Sequence, residues 1–378
     1  MTAPLVERAQ HSDSIELRQF FEQFTIKGLV ELRQTRPLDF FSPYRIASDE
    51  FETFVLRGKN REVQGLVSFV YREVFLDGKI EKLALATDLR ILGQRGPLLS
   101  WSQNFLPVIR DIYERKKVLA VFSTVNRGDP TVSSVFLRPR SPRRAWPRYH
   151  LYRRYDLVTL HGRFPWHRKS LSSLRLVRAH TGLKDLLIQF LVDRSQYYPM
   201  ASAWDATSFE RRLARMPGLL VENFWMALDH KGKVVGCMGS WSPGSLQEFR
   251  PLSYSLVAHN FRQFLKFGRL LGWTRPLTKP VRSTGVEAPL HFRYLVYPYA
   301  ANEDVFESLL NQVYEHSAPN EFLVYSHAEQ GFRRRPPRCW VSSRQPYSLY
   351  ALIPPERPVP QFLDPSEILN PELEAYLF

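Results

Sequence analysis

"TDLRILGQRGPLLSW" (Thr87–Trp101) holds the end of a strand, two glycines, two arginines and the first turns of a helix within one short stretch. A strand that enters a glycine-containing loop and then a helix aims the loop's N–H groups and the positive end of the helix dipole at one spot. That spot is an anion site suited to a pyrophosphate. Gly93 and Gly96 let a ligand approach the backbone, and Arg90 and Arg95 add charge. Pro97 fits the first helical turn, where its missing N–H costs least. A turn of this kind that binds nothing is the competing reading, so the flanking sequence has to decide.

Upstream, "FETFVLRG" and "VQGLVSFVYREVF" read as strands, and Asp77-Gly78 turns the chain into "EKLALATDLRIL". These three make an antiparallel meander. Downstream, Leu98, Trp101, Phe105, Ile109 and Ile112 recur every three or four residues and predict an amphipathic helix, kinked or loosened at Pro107. "VLAVFSTV" is a nearly unbroken apolar strand of the buried kind, which runs parallel to a neighbour after a helical crossover. "YHLYRRYDLVTLHG" is a final strand. Before Phe51, "SIELRQFFEQF" and "TIKGLVELRQTRPLDFF" mix polar and apolar residues too evenly to separate helix from strand.

A polar, basic stretch, His161 to Ser173, then breaks the pattern, and the order starts again. "SLRLVRAH" reads as a strand, "LKDLLIQFLVDRSQYY" as a helix and "NFWMALDHKGKVVGCMGSW" as a hairpin around Lys231-Gly232. The hairpin matches "FETFVLRGKNREVQGLVSF" in pattern, down to a central glycine, and suggests an internal duplication. An insertion at about 242–289 contains "FRQFLKFGRLLGW"; its Phe261, Phe264, Phe267 and Trp273 suit packing across domains, a dimer face or the wall of an acceptor cleft. "HFRYLVYPYA", "NEDVFESLLNQVYEHS", "EFLVYSHAE" and "YSLYALIPP" restore strand, helix, strand, strand. The expected domains are 1–165 and 166–378.

At 378 residues, 44% hydrophobic and 13% aromatic, the chain is long and apolar enough for two folded domains. Two cysteines, Cys237 and Cys339, make no disulfide framework, and neither a signal-type segment nor a membrane-spanning run is present, so a cytoplasmic protein is expected. Lys and Arg outnumber Asp and Glu by 52 to 37, a net +15, which favours anionic partners without choosing among nucleotides, nucleic acid and acidic membranes. The densest basic blocks, Arg138–Arg154 and Phe332–Arg338, are proline-rich and read as loops. The His and Cys residues show no zinc-type spacing, and there is no G-x-S-x-G, Walker loop or dinucleotide fingerprint. His150 and His161 read as ordinary strand or edge residues.

On "RPLDFF", "VQGLVSFVYREVFLDGKIEKLALATDLRI", "QRGPLL" and "TVNRGDP" in the first half, and "KVVGCMGSW", the aromatic and basic insertion and "YSLYALIPP" in the second, the chain resembles the GNAT superfamily of acyl-CoA-dependent N-acyltransferases. It is most similar in layout to bacterial tandem-GNAT proteins, over most of residues 15 to 355. The fold class implied is α/β (α+β): two tandem domains, each a mixed, mostly antiparallel sheet flanked by helices. The resemblance implies acetyl-CoA or another acyl-CoA as co-substrate and no metal. A small-molecule or peptide amine is the implied acceptor, attacking the thioester directly. It places cofactor contacts at Leu89, Arg90, Ile91, Gln94, Arg95, Gly96, Leu98 and Asn126. Against the family's R/Q-x-x-G-x-G/A loop only Gln94, Arg95 and Gly96 match, and Pro97 and Leu98 stand where a second glycine is usual. The equivalent second-half segment, "VYPYAANEDVFESLL", has no glycine and puts Glu303 and Asp304 at the helix start, which implies lost cofactor binding there.

The carboxylates nearest the implied cleft are Asp88 and Glu81, expected on opposite faces of the strand because their separation is odd. Either would take the amine's proton, directly or through water, while a strand N–H holds the oxyanion; a structural salt bridge is the competing role for each. The family's later tyrosine has no match in "NRGDPTVSSVF", where Ser133, Ser134 or water would have to substitute. Two other functions remain open at this level: transfer from an aminoacyl-tRNA held by the basic blocks, and a binding or scaffold protein with both sites decayed.

Overall fold

The computed structural model describes residues 5–76, 78–129, 146–166, 174–244, 246–328, 336, 338–363 and 371–377. The meander is β4 (Glu50–Arg57), β5 (Val63–Leu76) and β6 (Lys79–Ile91), preceded by β1 (Leu5–Arg8). Helix α3 (Arg95–Lys116) follows and runs unbroken through Pro107, then β7 (Ala120–Asn126) lies parallel to β6. The ambiguous region before Phe51 resolves into α1 (Ser14–Phe21), two short strands, β2 (Thr25–Ile26) and β3 (Val30–Thr35), and α2 (Ser42–Ala47).

The second half repeats the order: β9 (Arg175–Arg178), helices α4 (Lys184–Ser195) and α5 (Ala206–Arg215), then β10 (Phe224–Leu228) and β11 (Val234–Trp241). After the insertion come β13 (Phe292–Ala300), α8 (Glu303–Glu315) and β14 (Phe322–Ala328), with β14 parallel to β13. The insertion holds a strand not expected from the sequence, β12 (Glu248–Tyr254), besides α6 (Leu256–Leu270) and the single turn α7 (Val281–Thr284). β12 pairs with β3 of the first half and ties the two halves together outside the main sheet.

The long strands β8 (Arg148–Arg163) and β15 (Trp340–Ile353) interlock at the centre. β15 belongs by sequence to the second half but pairs with β7 of the first, and β8 pairs with β14 of the second. One twelve-stranded sheet results, in the order β1-β4-β5-β6-β7-β15-β8-β14-β13-β11-β10-β9. β15 begins at Trp340, earlier than "YSLYALIPP" suggests, because its first residues complete the pairing with β8.

Helix α3 buries Trp101, Phe105, Ile109 and Ile112 against Leu56, Val67, Ala84 and Ala86 on one face of the sheet, each large side chain contributing about 1.5–3 kcal/mol. Leu98, expected on that face, is exposed. α8 repeats the arrangement with Val305, Leu309 and Val313 on Ala227, Met238 and Leu295. The opposite face carries a core shared by both halves, built from α1, α2, α4, α5 and residues 375–377.

Gly65 and Gly236 occupy equivalent places on β5 and β11, where the following helix crosses. A Cβ at Gly236 would lie 2.6 Å from Val305 Cγ1 and 3.0 Å from Leu309 Cδ1. We expect Gly236→Ala to destabilise the protein by about 1–3 kcal/mol through overpacking, read as a lower urea midpoint, whereas Gly93→Ala, which meets nothing within 4 Å, leaves the midpoint in place. Equal midpoints for the two variants would show that α8 does not rest on this glycine.

Candidate active site

β6 and β7 pair only from Leu83/Ala120 to Ala86/Ser123, although β6 continues to Ile91 and β7 to Asn126. Past Ala86 the two strands part, and the sheet opens. At the same point the ladder between β5 and β6 slips: Ser68 faces Thr87 but Leu66 faces Arg90, so β6 holds one extra residue. This is a β-bulge, and Asp88 sits in it with φ 57°. Aspartate is among the few non-glycine residues that tolerate this left-handed region.

The bulge changes which way the strand's side chains point. Ala84 and Ala86 lie under α3, and so do Leu89 and Ile91, a step of three that simple alternation does not allow. The odd-separation argument for Asp88 and Glu81 therefore fails at the bulge. Glu81 lies opposite Val74 near the other end of β6, roughly 23 Å from Asp88 at about 3.3 Å per residue.

Asp88 is held by two side chains that sequence reading missed. Arg36 forms a buried ion pair with it, and the Tyr44 hydroxyl donates to the same oxygen at 2.5 Å. Arg36 also donates to Tyr44 Oη and to the Phe40 carbonyl, each at 2.8 Å, and its guanidinium lies over the rings of Phe21, Phe40 and Tyr44. Burial raises the Asp88 carboxyl, but Arg36 and then Arg90 outweigh it and hold the group below the usual carboxylate range. Arg90 lies over the Phe21 ring, and burial draws its pKa down, with Asp88 pulling the other way and Arg36 adding to the fall. Two arginines thus share one carboxylate, and the site carries excess positive charge.

Gln94, Arg95 and Gly96 are exposed at the start of α3. Gln94 is the N-cap residue but its side chain makes no cap, and the first turn holds no acid. The N-terminus of α3 is open to an anion. That of α8 is not: Asn302 Oδ1 accepts from the Val305 N–H at 2.9 Å, and Glu303 and Asp304 fill the first turn. Asn126 ends β7, its Oδ1 accepting from the Gly128 N–H at 2.8 Å. Ser133, Ser134, residues 138–145 of the first basic block and residues 332–335 and 337 of the second fall outside the described residues. Across from Asn126, Tyr347 of β15 stacks on Tyr155 of β8, ring centres 5.6 Å apart. Burial pushes the Tyr347 hydroxyl up to about 12, with Arg90 pulling the other way.

The second half opens in the same manner. β13 and β14 pair only from Phe292/Phe322 to Tyr294/Val324, and β13 carries its own bulge at Tyr297, φ 51°. Here too an arginine holds the bulge: Arg212 Nε donates to Tyr297 Oη at 2.8 Å. Arg212 also pairs with Glu374, which meets Arg72 at 3.2 Å and accepts from the Tyr376 hydroxyl at 2.7 Å. A narrow opening lies among Arg72, Trp204, Arg212, Tyr297 and Glu374. Residues 371–377 run from this opening to the first one, the Ser326 hydroxyl donating to the Leu373 carbonyl at 3.0 Å and the Thr87 hydroxyl to the Leu377 carbonyl at 2.9 Å. His161, read as a strand or edge residue, lies on β8, buried between Phe261 and Phe322, with Nε2 3.0 Å from Ser343 Oγ.

No family model matches the sequence, and no curated protein matches it. Solved structures match its shape. A conserved protein of unknown function from Enterococcus faecalis V583, described as a probable N-acyltransferase, aligns with TM-score 0.51 at 10% identity, over 93% of this chain and 72% of its own. A GCN5-related N-acetyltransferase from Sphaerobacter thermophilus gives 0.50 at 9% identity, over 93% and 96%. Saccharomyces cerevisiae N-myristoyltransferase with bound myristoyl-CoA gives 0.51 at 10%, over 94% and 80%. At such identities the likeness is one of fold, and this protein has the GNAT fold expected from the sequence.

Removing the charge of Asp88 leaves Arg36 buried without its counter-ion, so Asp88→Asn is expected to cost about 3–5 kcal/mol of stability at neutral pH. Because the folded carboxyl lies below its unfolded value of about 3.9, its contribution is complete above that pH and is lost as pH falls through the folded value. Chemical denaturation from pH 7 to pH 3 should show the variant's deficit shrinking as the medium is acidified. A constant deficit across that range contradicts the assignment.

Proposed function

We propose that the first half is an acyl-CoA-dependent N-acyltransferase, using acetyl-CoA or another acyl-CoA to acylate a primary amine. One contrast carries the reading: the opening beside the Asp88 bulge adjoins an uncapped helix start bearing Arg95, whereas the equivalent opening adjoins a start filled by Asn302, Glu303 and Asp304. An N-terminus with free N–H groups and no acid suits a pyrophosphate, and one already capped and negative repels it. The second half is then a copy without a cofactor, shaping the acceptor side of the cleft.

In this reading the pyrophosphate sits at Gln94–Gly96 and the pantetheine runs along the edge of β6 left free by β7. The neutral amine attacks the thioester carbonyl carbon, the C–N bond forms, and the C–S bond breaks as the tetrahedral oxyanion collapses. We assign the oxyanion to backbone N–H groups of β6 beyond the point where β7 leaves it. Asp88 is a poor proton acceptor, because Arg36 and Arg90 stabilise its charged form; we assign it to holding the bulge. Glu81 lies too far along β6 to act, so the amine's proton passes to water. Tyr347, neutral and at the end of β7, is the hydroxyl we assign to protonating the departing thiolate.

Calorimetric titration with CoA and acetyl-CoA tests the placement. The native protein should bind saturably, and the double variant Arg95→Glu, Gly96→Glu should bind at least about tenfold more weakly, a loss of roughly 1.4 kcal/mol. Absence of binding at millimolar ligand, or unchanged binding in the variant, contradicts the proposal.

A further inference from the structure

Helix α6 of the insertion presents three separate sectors. At about 100° per residue, Ala258, Leu265 and Gly268 face the protein and are buried. Arg262, Lys266 and Arg269 share a second sector with His259. Leu256, Val257, Phe264, Phe267, Leu270 and, just past the helix, Leu271 form a third, interrupted by Asn260 and Gln263, and all six face solvent. Leu256, Phe267 and Leu270 are 77%, 62% and 81% exposed. Scattered single apolar residues need no explanation, but a contiguous face of this size does.

The patch extends past both helix ends. The Leu29 carbonyl accepts the Ser255 N–H at 2.9 Å, and the Leu29 side chain is itself 63% exposed. Beyond the other end, exposed Trp166 stacks on Phe164, ring centres 4.5 Å apart, and Phe164 meets Trp273. The charge is one-sided. From Ser255 to Val286 the sequence contains Arg262, Lys266, Arg269, Arg275, Lys279 and Arg282 and no Asp or Glu. Arg282 reaches Glu31, but Lys266, Arg269 and Lys279 have no carboxylate partner among the described residues.

We propose that this face docks on an anionic phospholipid bilayer, with α6 lying in the interface plane. A helix with one apolar face, an adjoining cationic sector and a flanking tryptophan meets what such a surface offers: acyl chains for the leucines and phenylalanines, headgroup phosphates for the lysines and arginines. A second copy of the chain would cover the apolar side chains but would bring like charges together. α6 lies on the bilayer and does not cross it; no described helix is long and apolar enough to span one. The inference stands apart from the acyltransferase reading, since neither the β6/β7 opening nor the loop of Gln94 enters it.

Co-sedimentation of the full chain with phosphatidylcholine vesicles, with and without a third of phosphatidylglycerol, is the test. Binding is expected only to the anionic vesicles and should be released at about 1 M salt, where the screening length is about 3 Å. Phe267→Asp with Leu270→Asp, and separately Lys266→Glu with Arg269→Glu, should each reduce it at least about tenfold; as exposed substitutions they should leave the melting curve in place. Failure of the native protein to pellet with anionic vesicles overturns the proposal. So does a concentration-dependent dimer in sedimentation velocity that the Phe267→Asp, Leu270→Asp variant abolishes, because the face then belongs to a second copy.

Discussion

The buried pair of Arg36 and Asp88 fixes the geometry on which the candidate site depends. Asp88 occupies a left-handed backbone conformation inside a strand, which costs roughly 1–2 kcal/mol for an ordinary residue. The extra residue there turns β6 away from β7 and opens the sheet. Arg36, anchored by the Phe40 carbonyl and enclosed by three aromatic rings, and the Tyr44 hydroxyl hold the carboxylate in place. Strain at the bulge is thus offset by charge-assisted hydrogen bonds out of reach of solvent.

The second half uses the same device with different chemistry. Tyr297 takes the place of Asp88, and Arg212 binds its hydroxyl rather than a carboxylate. The counter-ion comes instead from Glu374, in the segment that crosses from one opening to the other. A bulky residue at positive φ is costlier than aspartate, yet both halves carry the bulge. The two helix starts differ, one open and one capped.

Much of this was legible in the sequence. The meander, α3 and β7 follow from apolar periods of two, three to four, and none, and the internal likeness of Gly65 and Gly236 marked the repeated unit. The bulge was not, because the alternation of "LALATDLRI" gives no sign of an inserted residue; only the step from Ala86 to Leu89 under α3 reveals it. Arg36 is remote from Asp88 in sequence, so no local pattern joins them. The interlocking of β8 and β15, and the pairing of β12 with β3, are long-range choices set by closure of the sheet rather than by any single segment. Tyr347 was hidden for the same reason: it reaches the first half's opening from the last long strand.

A crystal structure of the protein with bound CoA decides where the cofactor lies. The pyrophosphate is expected over the N–H groups of Arg95 and Gly96, and the thiol in the gap between β6 and β7, near the Asp88 bulge. CoA bound instead in the opening between β13 and β14, among Arg72, Arg212 and Tyr297, would contradict this placement.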